Sequence, residues 1–186
     1  AVITVDQLRK SYGHTAAVDD LSFSVEQGEI FGILGPNGAG KTTTVECLQG
    51  LRHADGGTIR VLGLDPMSEA AELRQRVGSQ LQDSALPGRL KVEECLELFA
   101  AFARHPVDRE VLLDRWRLQP QRRQSFDSLS GGQRQRLFIA LAFVNAPELV
   151  FLDELTQGLD PQARRATWDL IEEIRDNGTT VVLVTH

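Results

Sequence analysis

Short apolar runs and longer stretches of helical periodicity take turns along the chain. Ile30-Phe31-Gly32-Ile33-Leu34 is an apolar run ending at Gly35, the pattern of a buried strand. From Lys41 to Leu48 the period becomes helical, and it stops near Gly50. Thr58-Ile59-Arg60-Val61-Leu62 alternates, which predicts a half-exposed strand. A helix around Ser68–Arg76 then leads into a strand over Val77–Leu81.

From Asp83 to about Ala142 the pattern is helical, with no convincing strand. Val92, Cys95, Leu96, Phe99 and Phe102 recur at helical spacing, and Pro106 closes that element. A second helix is expected over Asp108–Leu118, with Pro120 beyond it, and a further helical pattern covers Arg134–Val144. Strand patterns then return. Leu149-Val150-Phe151-Leu152 and Thr180–Thr185 read as buried strands on either side of a helix, Pro161–Asp176, that carries proline in its first turn. Strands alternating with helices predict an α/β fold: a mostly parallel sheet with helices on both faces and a helical stretch inserted into it.

Composition narrows the class. The chain has 186 residues, 41% hydrophobic and 25% charged, with a formal net charge of −6. That is one domain with room for an inserted subdomain, and it is unlike a disordered chain. The negative balance argues against a nucleic-acid partner. No apolar stretch approaches the roughly 20 residues that span a bilayer. The N-terminus lacks the basic segment followed by a long apolar one of a signal peptide. Cys47 and Cys95 lie far apart in apolar-periodic surroundings, which fits buried free thiols in a reducing compartment better than a disulfide or a metal site. Arginine greatly outnumbers lysine, with only Lys10, Lys41 and Lys91, a sign of a GC-rich bacterial source. These features predict a soluble, intracellular, globular protein.

Chemistry concentrates at two strand ends. Gly35-Pro36-Asn37-Gly38-Ala39-Gly40-Lys41-Thr42 matches G-x-x-x-x-G-K-[ST] and lies after a strand and before a helix. The glycines let backbone N–H groups turn toward one anion, and the helix adds its N-terminal partial charge. Lys41 can reach β- and γ-phosphate oxygens, the Thr42 hydroxyl can ligate Mg²⁺, and Thr43 completes the nucleotide-binding set. Asp153 and Glu154 close the buried run Leu149–Leu152. At the carboxyl end of a parallel strand they face the same crevice, Asp153 suited to hold Mg²⁺ and Glu154 to polarise the water attacking the γ-phosphate.

Leu129-Ser130-Gly131-Gly132-Gln133 is a third element at a helix start. Alone it reads equally as a serine N-cap or as a second phosphate-holding terminus. Its place between the phosphate loop and Asp153 resembles the ATP-binding cassette domain of ABC transporters, and the resemblance runs over essentially the whole chain. It implies a P-loop NTPase core with antiparallel N-terminal strands flanking the parallel sheet. Residues 1–82 and 143–186 would form that core and residues 83–142 the helical subdomain that carries the signature segment.

The resemblance assigns further roles. Tyr12 would stack on adenine, and Gln82 would sense Mg²⁺ and the membrane partner, although Gln80 lies close enough to be the matching glutamine. Leu159 and Asp160 would communicate between two nucleotide sites, and His186 would contact the γ-phosphate. Two chains would pair head to tail, each ATP held between one phosphate loop and the other chain's Leu129–Gln133 segment. Leu155 stands where many relatives carry proline, and Gln157 where a small residue is common, both beside Glu154. The family module normally continues beyond the position of His186.

The implied function is ATP binding and hydrolysis with Mg²⁺, powering export through a separate membrane subunit docked near residues 83–142. Gln80–Pro87 and Leu155 look most like the ABC-2-type, drug-resistance exporters. Such a subunit would sit on the cytoplasmic face of a bacterial membrane. A non-transport ABC ATPase acting on the ribosome or chromosome, or a nucleotide-binding module that does not turn over, are the alternatives. The first would carry two cassettes or a long coiled coil before Ser130, and the interval between the phosphate loop and Ser130 shows no sustained heptads.

Overall fold

A computed structural model describes residues 1–80, 86–153, 155 and 160–185, with residue 163 by its backbone alone. Two sheets organise the chain. Strand β1 (Ile3–Tyr12) lies between β2 (Thr15–Val25) and β4 (Gly56–Val61) in an antiparallel sheet, with Ile3 opposite both Val25 and Val61. Strands β3 (Ile30–Leu34), β5 (Val77–Gln80), β6 (Leu149–Asp153) and β7 (Thr180–Thr185) form a parallel sheet in the order β3-β7-β6-β5. Helices α1 (Lys41–Leu48), α2 (Ala70–Arg76), α3 (Val92–Ala100), α4 (Arg109–Arg115), α5 (Gly131–Ala142) and α6 (Pro161–Asp176) complete the fold.

The continuous apolar runs of β6 and β7 have a physical reason. Successive side chains of a strand point to opposite faces, and here both faces are buried. Leu149, Phe151 and Val182 enter one core, with Ile3, Val5, Leu48 and Leu73 from the antiparallel sheet, α1 and α2. Val150, Leu152, Val181 and Leu183 enter the other, with Leu96, Leu113, Trp116 and Leu137 from the helical stretch and Ile171 and Ile174 from α6. The parallel sheet is thus covered on one face by helices and on the other by α1, α2 and the antiparallel sheet. Helices lie on both faces, as expected, and the antiparallel sheet joins α1 and α2 on one of them. The alternating run near Ile59 supplies the third strand of the antiparallel sheet.

Element ends differ from the periodicity by a few residues, for local reasons. α4 stops at Arg115 because Arg117, at φ 53°, turns the chain out of the helix before Leu118 is buried. Asp108 stands outside α4 as its N-cap, its carboxylate accepting from the N–H groups of Glu110 and Val111. α5 begins at Gly131 rather than Arg134 because Ser130 and Gln133 form a reciprocal capping box. Between residues 86 and 148 the described backbone holds no strand, only an isolated bridge between Lys91 and Ser125. Cys47 and Cys95 are free and buried; burial raises both thiols, Cys95 to about 11, so both are held in the protonated form at neutral pH.

Candidate functional site

The phosphate loop leaves β3 at Leu34 and enters α1 at Lys41. Gly40, the N-cap of α1, sits at φ 81° against the backbone of β2. A Cβ there would lie 2.1 Å from the Ala17 carbonyl oxygen, so both the conformation and the close approach require glycine. With no side chain to cap it, the first turn of α1 presents its N–H groups to whatever lies in front of the loop. Internally the loop is braced by Ala39 N–H donating to the Pro36 carbonyl at 3.2 Å and by Thr44, whose N–H and hydroxyl both donate to Gly40 O.

Lys41 is almost buried, and its ammonium donates to the Gly35 carbonyl and, at 3.0 Å, to the Pro36 carbonyl. Asn37–Thr43, Ala17, Val184 and Asp153 line one cavity of about 310 Å³. The cavity therefore joins the end of β3 to that of β7, its neighbour in the sheet, and to that of β6, one strand further on. It offers backbone donors, one ammonium, the hydroxyls of Thr42 and Thr43 and one carboxylate. That donor set fits a polyphosphate with a hard divalent cation, which takes oxygen ligands and keeps part of its water.

Tyr12 stands at the edge of this site. Its hydroxyl lies 3.4 Å from the Thr43 hydroxyl, and the residue is 43% exposed. Lys10 Nζ lies over its ring at 5.7 Å from the centroid and the Arg52 guanidinium carbon at 5.2 Å. Neither cation, nor Ala17 or Val184, was among the residues the sequence pointed to. No short motif links positions so far apart; they meet through the β1–β2 hairpin and the sheet order.

The signature segment lies elsewhere. Leu129 is buried as an anchor, while Ser130, Gly131 and Gly132 are exposed at the start of α5. Ser130 Oγ accepts from Gln133 N–H at 3.3 Å, and Gln133 Oε1 accepts from Ser130 N–H at 2.8 Å. The serine is thus an N-cap, and its hydroxyl keeps a proton to donate outward. Ser130, Gly132 and Gln133 line a separate cavity of about 500 Å³ with Arg136, Thr167 and Asp169. Among the described residues it shares no lining residue with the phosphate-loop cavity.

Asp160 caps α6: its carboxylate accepts from Gln162 N–H at 2.9 Å and its carbonyl from Arg164 N–H at 2.9 Å. Gln82, Glu154, Gln157, Leu159 and His186 lie outside the described residues. Gln80, the neighbouring glutamine, ends β5 beside Leu152 with its Oε1 buried and, among the described residues, without a hydrogen-bond partner.

A phosphate loop and a strand-end aspartate on one cavity, with a glycine-hinged, serine-capped helix on another, define a class that the comparisons identify. Residues 18–157 match the family described as ABC transporter, and the chain belongs to that family. Its relatives include the Nod factor export ATP-binding protein I of Ralstonia nicotianae, 40% identical over 190 residues that cover 100% of this chain and 59% of that protein. The daunorubicin resistance ATP-binding protein DrrA3 of Streptomyces coeruleorubidus is 43% identical over 189 residues, covering 99% of this chain and 60% of that one. This chain thus spans about three fifths of the curated relatives' length. Among solved structures, cbiO1 from Clostridium perfringens, part of the transporter complex cbiONQ, superposes with a TM-score of 0.88 at 26% identity over 100% of this chain and 78% of that one. The cassette MJ0796, solved as a post-hydrolysis dimer bound to ADP and Pi, gives 0.85 at 25% identity over 99% and 88%.

Proposed function

We propose that this chain is the ATP-hydrolysing engine of an ABC exporter. The observation that carries the reading is the separation of two phosphate-suited surfaces: the phosphate loop with Asp153 on one cavity, and the Ser130 helix start on another. A single chain with two such half-sites is complete when two copies, or two related cassettes, face each other head to tail. The relatives named for Nod factor export and daunorubicin resistance, and the dimeric cassette among the structural neighbours, support the same reading.

In this mechanism the triphosphate displaces the loop carbonyls from Lys41, whose ammonium then bonds β- and γ-phosphate oxygens. The N–H groups of Asn37–Thr43 cradle the anion, and Tyr12 takes the base outside the small phosphate cavity. Thr42 and Asp153, joined by Gln82, would hold Mg²⁺, which when bound draws charge from the β- and γ-phosphates. Glu154 accepts a proton from the water that attacks the γ-phosphorus as the bond to the bridging oxygen breaks, giving ADP and phosphate. His186 steadies the γ-phosphate, and Leu129–Gln133 of the opposite chain donates to it. Leu159 and Asp160 couple the two sites. Closure of the pair on ATP, and its reopening after hydrolysis, supply the movement.

The partner is an integral membrane subunit on the cytoplasmic face of a bacterial membrane, docked on the helical stretch 83–142. Leu98, Phe99 and Phe102, all exposed there, provide apolar surface for that contact. Among the described residues no helix is long and apolar enough to cross a membrane, so the translocation path is assigned to that partner. Glu154→Gln should bind MgATP, hydrolyse it very slowly and accumulate as a dimer in sedimentation velocity runs. A variant that stays monomeric with MgATP contradicts the proposal.

A further inference from the structure

Tyr12 is the chain's only tyrosine, and it is held on three sides. Its hydroxyl meets Thr43 on α1. The end of its own strand is tied down by Asp55, which accepts from Lys10 Nζ at 2.6 Å and from Ser11 N–H at 2.7 Å. Over the ring stands the Arg52 guanidinium, bonded in turn to Glu46 on α1. Thr43 and Glu46 are three residues apart on α1, so they share a helix face, and Tyr12 and Arg52 lie together along it.

We propose that Arg52, anchored by Glu46, is a positioning residue for the nucleotide base: it fixes the Tyr12 ring in the orientation in which the base stacks on it. The inference rests on the reading of Tyr12 as the base contact. Its physical content is preorganisation. A half-exposed aromatic ring left to itself samples rotamers, and ordering it on binding weakens affinity. A planar guanidinium over the ring removes that freedom before the base arrives, and its charge favours stacking of a further π-system. Lys10 lies farther from the ring, on the ring's own strand, so Arg52 is the nearer cation and the one that ties the ring to α1 through Glu46. Glu46 offsets part of the arginine's charge, which limits any direct pull on the phosphates.

The test uses 3-fluorotyrosine labelling, which gives a single ¹⁹F resonance because Tyr12 is unique. In the wild type that resonance should move further with ATP than with inorganic tripolyphosphate, which reaches Tyr12 only through the Thr43 hydroxyl. If ATP moves it no further than tripolyphosphate does, Tyr12 is not the base contact, and the underlying reading fails along with this inference. If ATP moves it further, Arg52→Ala should weaken ATP binding roughly two- to five-fold. Tripolyphosphate affinity, which also reports that the loop is folded, should not change. Arg52→Lys should retain part of the effect, Glu46→Gln should lose part, and in a Tyr12→Ala background Arg52→Ala should change nothing further. Unchanged or tighter ATP binding, an equal loss for tripolyphosphate, or a full loss in the Tyr12→Ala background would overturn the proposal.

Discussion

Lys41 exposes 8% of its surface and is packed among backbone dipoles. The Gly35 and Pro36 carbonyls supply the electron density that burial demands, so the side chain is held folded against the loop; in the proposed mechanism it exchanges those partners for phosphate oxygens. Lys41→Ala removes at least one charge-assisted hydrogen bond, about 1.5–3 kcal/mol, so ATP affinity should fall on the order of 10- to 100-fold by titration calorimetry. Unchanged affinity would contradict the role given to this residue. Lys41 was legible in the sequence because the loop's constraints are local: a left-handed Gly40, a following helix and a lysine one residue on. The surroundings of Tyr12 were not. Arg52, Glu46 and Asp55 meet it only through the register of β1 with β2 and β4 and the packing of α1, and no short-range pattern records those.

At the scale of elements, the half-sites are set by how strands and helices end. β6 delivers Asp153 to the phosphate loop because its four preceding residues are locked between two cores, leaving only the carboxyl end to reach the surface. The opposite end of β6 is pinned by Glu148, which takes a bidentate bond from Arg76 at 2.6 and 3.1 Å, while its N–H donates to the Arg76 carbonyl. The hydrogen bond from Arg76 holds the Glu148 carboxyl below its ordinary range. A depressed folded value contributes stability above the unfolded carboxylate range, and that contribution disappears as pH falls through the folded value. Glu148→Gln should therefore be less stable than wild type at pH 7, by about 1 kcal/mol or less for so exposed a pair. The difference should close toward pH 3 in denaturant titrations; a gap that persists there would show that the ion pair is not its source. The strands β6 and β7 were legible because two-sided burial forces continuous apolar runs; β3 was expected to be buried from its apolar run, but at the edge of the sheet it stays half-exposed, with Gly32 and Leu34 exposed. The end of α4 was not, since helical periodicity runs on through Leu118 while a positive φ at Arg117 has already ended the helix.

Across the whole molecule, the phosphate loop and the serine-capped start of α5 belong to different cavities with different walls. Each is well formed on its own terms: one glycine-hinged and backed by Asp153, the other closed by a reciprocal capping box. Nothing in the order of motifs along the chain fixes that separation; it follows from the helical stretch packing its own core on the sheet's other face. In the proposed mechanism hydrolysis needs both surfaces and takes them from two chains. The most direct test is the rate of MgATP hydrolysis per chain as protein concentration rises. The account predicts a per-chain rate that climbs with concentration until the pair is saturated. A measurable per-chain rate that is the same at every concentration would mean that one chain completes its own site, and would contradict it.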